Sequence, residues 1–203
     1  RSVMGDLGGT QFIGSQLKFK GSEFNDWYGY TSDGLFPTTK DVTHSHPLPS
    51  NVGPGDVKYD DLGGPSGTPD GKISSEYDRT LLGGSLPRYL YGGNIHVGYG
   101  SFDFSASFQG IGKQISQKTT AMVEPFLAQY IEVPQLIIGK YWSYYNTDAQ
   151  NLNAKYPRVS NVGNSNNYTF SDYWLFNGAY FRLKSVTLSY NVNEKLCQKL
   201  RIS

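Results

Sequence analysis

The chain has 203 residues and a formal net charge of +1, with 18 Lys and Arg scattered among 17 Asp and Glu. This length holds one or two ordinary domains; the charged fraction of 17% is low for a soluble protein, and without a basic stripe no nucleic-acid partner is expected. The lone Cys197 excludes an intramolecular disulfide framework and a multi-cysteine zinc site, and no apolar run approaches the roughly 18 residues of a membrane-spanning helix.

Aromatics reach 15%, led by 16 Tyr, and Gly contributes 24 residues, a strand-and-turn composition rich in amphipathic rings. A mean hydropathy of −0.47 is compatible with a membrane barrel, whose strands hide their hydrophobicity in alternation. In chain order, residues 11–20 alternate weakly and predict a strand. Trp27-Tyr28-Gly29-Tyr30 predicts a short strand entering a turn at Ser32-Asp33-Gly34, with Leu35-Phe36-Pro37 resuming briefly. Prolines 37, 47, 49 and 54 make residues 38–54 loop-like, residues 56–60 predict a short strand, and the Gly- and Pro-rich residues 63–71 an irregular stretch.

Residues 93–109 spell out a β-hairpin. Ile95, Val97 and Tyr99 share one phase with Phe102, Phe104, Ala106 and Phe108 if Gly100-Ser101 is a two-residue turn; Asn94, His96, Asp103, Ser105, Ser107 and Gln109 then share the other face. Residues 111–171 are long and mixed. Met122, Val123, Phe126, Leu127 and Tyr130 approximate a helical stripe within 117–130, limited by Pro125, and the Asn-rich residues 146–167 read as an exposed loop. In residues 179–190 the alternation slips by one near Lys184-Ser185, as a β-bulge would make it. With no charged-then-apolar leader and a strand just beginning at Leu200, the sequence is expected to be a piece cut at both ends.

Several stretches carry a family resemblance: Gly55-Asp56-Val57-Lys58-Tyr59-Asp60-Asp61, Asp70-Gly71-Lys72-Ile73, Asp78-Arg79-Thr80, Pro87-Arg88-Tyr89, Phe102-Asp103-Phe104-Ser105, Asn153-Ala154-Lys155-Tyr156-Pro157-Arg158, and above all Tyr173-Trp174-Leu175-Phe176-Asn177-Gly178-Ala179-Tyr180-Phe181-Arg182-Leu183. In this order and spacing, from about Trp27 to Ser203, the chain resembles the SusC/RagA-like family of TonB-dependent outer-membrane transporters. The resemblance implies an all-β fold: an antiparallel transmembrane segment of a 22-stranded barrel with long extracellular loops, in the bacterial outer membrane. It also implies a SusD-like surface lipoprotein as partner, TonB acting through an N-terminal region not in this sequence, and glycans or oligopeptides as cargo. No plug, TonB box or set of final strands is matched, so residues 1–203 are expected to form one partial barrel domain. Some six strands fit at about ten residues per crossing. The Gly100-Ser101 turn would be periplasmic, with Tyr99 and Phe102 in the inner aromatic girdle and residues 111–171 outside.

Tyr141, Trp142, Tyr144, Tyr145 and Trp174 bracket the long loop and are the candidate substrate or partner contacts; an outer aromatic girdle or loop packing is the plainer reading of them. Asp60, Asp61, Asp70 and Asp78 flank a Gly-rich turn but lack the alternate spacing of a calcium loop, and ordinary turn chemistry is the simpler reading. His44-Ser45-His46 lacks a third ligand. No nucleophile–base set or paired carboxylates stand at convincing spacing, so neither catalysis, nor a resident metal, nor a cofactor is expected. Two alternatives stay open: a secreted β-sandwich carbohydrate-binding module, and a hydrolase using the Asp-rich loop.

Overall fold

A computed structural model describes residues 5, 8–44, 52–127, 132–160, 166–192 and 198. They divide into two compact units, one from Arg1–Ser85 and Ser116–Phe176, the other from Leu86–Ile115 and Asn177–Ser203. No helix is long and apolar enough to cross a membrane.

The first unit begins with strands β1 (Gln11–Ile13) and β2 (Gln16–Lys18), so the strand expected over 11–20 is instead a small hairpin. Its two-residue connection, Gly14-Ser15, has the same sequence as the Gly100-Ser101 turn, and each Gly sits at φ +60°, the left-handed region that such tight hairpins need. Strand β3 (Asp26–Tyr30) follows as predicted, then β4 (Ser32–Leu35), helix α1 (Thr39–His44), β5 (Val57–Tyr59) and β6 (Arg79–Gly84). The sheet runs β1-β2-β3-β6, and β4 pairs with β5. Residues 38–54 are therefore not wholly loop: the Asp41 carboxylate accepts the Thr38 N–H at 3.0 Å and starts a six-residue helix.

The second unit is a three-stranded antiparallel sheet. Strands β7 (Tyr89–Tyr99) and β8 (Phe102–Gly112) pair as the alternation predicts, Tyr99 opposite Phe102, Val97 opposite Phe104 and Ile95 opposite Ala106.

Between these strands and the last, β9 (Ile115–Gln117), helix α2 (Thr120–Val123), helix α3 (Asp148–Leu152), a 3₁₀ turn (Asp172–Trp174) and β10 (Leu175–Asn177) succeed one another. The helix expected over 117–130 is thus corrected. Residues 115–117 pair with β10, the Lys118 N–H donates to the Trp174 carbonyl, and only four residues turn helical before Pro125 and a left-handed Phe126 (φ +55°). The loop expected over 146–167 also contains structure: Thr147 and Gln150 form a capping box that starts α3, Tyr156 is buried, and so are Asn166 and Asn167.

Strand β11 (Tyr180–Tyr190) completes the three-stranded sheet by pairing with the other side of β8, with its register shift between Leu183 and Ser185, where the sequence slips. The shift brings Phe181, Leu183, Val186, Leu188 and Tyr190 onto one face despite their uneven spacing.

Two hydrophobic clusters hold the first unit. Tyr30, Val57, Tyr59 and Ile73 form one, and Val123, Ile137, Tyr156 and Trp174 the other, with half-buried Tyr173 packed against both. Residues 1–4, 6–7, 45–51, 128–131, 161–165, 193–197 and 199–203 lie outside the description, and with them His46, Tyr130 of the expected helical stripe, Cys197 and the strand expected to begin at Leu200.

Candidate functional site

The three-stranded sheet has two chemically distinct faces. On one, the rings of Phe102 and Tyr190 meet at a tilt with centroids 4.8 Å apart and those of Phe108 and Phe181 at 5.6 Å, yet the face is uncovered: Leu188 is 68% and Val97 54% exposed. On the other, Ser107 and Ser185 share a hydrogen bond of 2.7 Å, and Asp103 accepts from Asn191 at 2.8 Å and lies 3.7 Å from His96. Leu90 and Ile111, opposite one another in the ladder beside Tyr180, interrupt the polar face at the end away from the Gly100 turn. At the same end, on the apolar face, Gly110 is required because a Cβ would run into the Tyr91 ring and stand 2.5 Å from the Tyr180 carbonyl.

In the first unit, distant segments are tied together by a buried carboxylate. Asp56, wholly buried, accepts from Arg158 Nε at 2.7 Å and Nη2 at 2.9 Å, from Asn167 Nδ2 at 2.8 Å and from the Gly53 N–H at 2.8 Å. Asn167 makes further bonds: its Oδ1 accepts the Val57 N–H at 2.8 Å and its carbonyl the Trp174 indole N–H at 2.8 Å. Tyr59 donates to the Asn166 carbonyl at 2.6 Å. The hydrogen bonds to Asp56 raise the Arg158 pKa against the opposing effect of burial, and burial raises that of the Tyr59 phenol. Gly55 completes the node: at φ +82°, it lies so close under the Trp142 ring that a Cβ would stand 2.5 Å away.

This arrangement separates the five aromatic candidates. Trp142 and Trp174, 4% and 3% exposed, are core residues and unavailable as a contact surface. Tyr141 is half-buried against the Trp174 cluster. Tyr144 packs edge-on over Trp142 at 4.7 Å while remaining largely open, and Tyr145 is fully exposed. Only the last two present whole rings outward.

The acidic turn is occupied by its own backbone. Asp78, fully buried, accepts the N–H groups of Leu62 at 2.8 Å, Gly63 at 3.1 Å and Ser74 at 2.6 Å; Asp61 accepts that of Gly71 at 2.7 Å, and Asp70 that of Lys72 at 3.0 Å. Burial pushes the Asp78 pKa upward, but the three N–H donors outweigh it and the net shift is downward. Among the described residues no three His, Cys, Asp or Glu side chains converge as a metal would require.

Sequence reasoning missed the Asp56–Arg158 pair because its members lie 102 residues apart. It also missed a cleft of about 480 Å³ that Lys140 and Lys155 line. The Lys-Tyr dipeptides at 140–141 and 155–156, bridged in parallel at Tyr141 and Tyr156, were the only signal for that cleft.

The chain is thus built mostly of strands, and its two-faced sheet is made of strands as long as those that cross an outer membrane. Known proteins with the same build are similar to it. The chain is 25% identical over 186 residues to TonB-dependent receptor P3 of Formosa agariphila, covering 91% of this chain and 17% of that protein. Among solved structures it matches the RagAB peptide importer in its open-open state with a TM-score of 0.59 at 13% identity, over 96% of this chain and 19% of that one. The RagAB peptide transporter matches with a TM-score of 0.60 at 14% identity, over 92% and 18%. No protein-family model matches. The chain therefore spans less than a fifth of the proteins it resembles. The resemblance to TonB-dependent receptors read from the sequence motifs is borne out, and with it a place in the bacterial outer membrane.

Proposed function

We propose that this chain is part of the barrel wall and outer loops of a SusC-like, TonB-dependent importer, a 22-stranded barrel that takes up glycans or oligopeptides with a SusD-like lipoprotein. The observation that carries the reading is the register of the three-stranded sheet. Each strand is 11 residues long, the length of one tilted crossing, and the pairing collects the apolar side chains other than Leu90 and Ile111 on a single uncovered face. Lipid is the natural cover for such a face, and a water-filled lumen for the Ser, Asn, His and Asp side chains behind it. A secreted β-sandwich would pack that face inward against a second sheet, and the exposure of Leu188 and Val97 counts against it.

In this reading residues 1–203 belong to one barrel domain and TonB acts through a region outside this sequence. Tyr144 and Tyr145 are the outer rings offered to cargo or to the lipoprotein lid. Trp142, Trp174 and the buried part of Tyr141 hold the loop that carries them. No catalysis is assigned, because the Asp-rich turn spends its carboxylates on the backbone. Deleting the gene for the whole protein is expected to abolish growth on one polysaccharide or peptide source while leaving growth on glucose intact, and loss of TonB should do the same. Unchanged growth across a panel of both cargo classes would contradict import.

A further inference from the structure

The cleft of about 480 Å³ in the first unit lies between the segments around residues 140 and 155. Its framework is fixed by the backbone: the Lys140 carbonyl accepts the N–H groups of Lys155 at 2.9 Å and Tyr156 at 3.2 Å, and the Trp142 N–H donates to the Tyr156 carbonyl at 3.0 Å. The rim is locked as well. Asn151 bonds the Ser143 backbone in both directions, at 3.0 and 2.9 Å.

The side chains lining this frame keep unused polar groups. Asn146 spends its Nδ2 on the Tyr141 carbonyl and the Asn151 Oδ1, and Asn153 its Nδ2 on the Ala149 carbonyl, so among the described residues each Oδ1 remains available as an acceptor. Gln150 spends its Oε1 on the Thr147 N–H and hydroxyl, which leaves its Nε2 as a donor. Lys140 and Lys155 add two ammonium groups, and neither makes an ion pair among the described residues. No Asp or Glu lines the cleft to neutralise them, and no aliphatic side chain larger than Ala154 lines it to seat an apolar peptide residue. The remaining lining is the half-buried Tyr141, the buried Tyr156 and Gly139.

We infer that this cleft is a subsite for an acidic oligosaccharide. Its carboxylate or sulfate would take the lysine ammoniums, and its hydroxyls, donor and acceptor at once, would take the three amides beside the Tyr141 ring. The inference rests on the import reading and narrows its cargo to anionic glycans.

The test is equilibrium binding to the detergent-solubilised full-length transporter, using trigalacturonate, a sulfated carrageenan tetrasaccharide, neutral maltotriose and the acidic tripeptide Glu-Gly-Glu. At least one acidic saccharide should bind at least about tenfold more tightly than maltotriose, more weakly as salt rises, and about tenfold or more less tightly to the double variant Lys140→Gln, Lys155→Gln. Which acidic saccharide binds tells carboxylate from sulfate. The site is overturned if neither acidic saccharide binds, if maltotriose binds equally, if the double variant binds unchanged, or if the tripeptide binds in their place. Import is read separately by the growth dependence above, so failed binding with that dependence intact overturns the subsite alone.

Discussion

Replacing Trp174 with alanine is expected to cost the first unit about 3–5 kcal/mol of stability, the range for removing a buried Trp or Phe ring. Trp174 lies between Tyr168, stacked at 5.5 Å, and Tyr156 at 6.4 Å, with Tyr173 edge-on at 5.0 Å, and its indole N–H satisfies the buried Asn167 carbonyl. Alanine removes the ring on which three tyrosines converge and leaves that carbonyl unpaired. Trp174→Phe keeps most of the packing and loses only the hydrogen bond, so its cost should be nearer 1 kcal/mol. Amide hydrogen exchange on the full-length protein reads both variants. Protection across residues 156–160 and 166–174 should collapse in the alanine variant and fall modestly in the phenylalanine one. Intact protection with lost cargo binding would instead return Trp174 to the role of a contact residue.

The second large effect is expected at Asp56. Asp56→Ala leaves the Arg158 guanidinium, the Asn167 amide and the Gly53 N–H without their shared acceptor, in a place where the carboxylate was wholly buried. Breaking a buried pair on one side costs about 3–5 kcal/mol; Arg158 keeps 29% of its side chain exposed, so the lower end, about 3 kcal/mol, is expected. Adding Arg158→Met should recover part of the loss, because the guanidinium that has lost its buried carboxylate is then gone. Thermal unfolding of the first unit, followed by protease cleavage of intact cells, ranks the single and double variants. A double variant no more stable than Asp56→Ala would show that the ion pair is not what ties residues 53–57 to 158.

What was legible in the sequence is what depends on local period. The β7–β8 register follows from strict alternation around Gly100-Ser101, and the β11 bulge from the phase slip at Lys184-Ser185, because a one-residue shift moves every side chain to the other face. The first unit was far less legible. A helix over 117–130 looked reasonable until residues 115–117 paired with Leu175–Asn177, a partner some 60 positions away. Aromatic density marked Trp142, Trp174, Tyr144 and Tyr145 alike. Whether such a ring is core or contact is decided by what approaches it, here Gly55 beneath Trp142 and three tyrosines around Trp174. The acidic turn was readable as turn chemistry, whereas the acid that organises the unit, Asp56, had no local signature.

In the import reading the three-stranded sheet crosses the outer membrane with its apolar face to lipid. Single spin-labelled cysteines at Phe104, Phe108, Leu183 and Val186, and at Ser105, Ser107, Arg182 and Thr187, in the full-length protein in lipid vesicles test it most directly. The first four should show high oxygen and low aqueous-nickel accessibility, and the second four the reverse. Leu183 and Val186, three positions apart, should both report lipid because of the bulge between them. Aqueous accessibility at all eight positions, or opposite environments for Leu183 and Val186, would contradict the account.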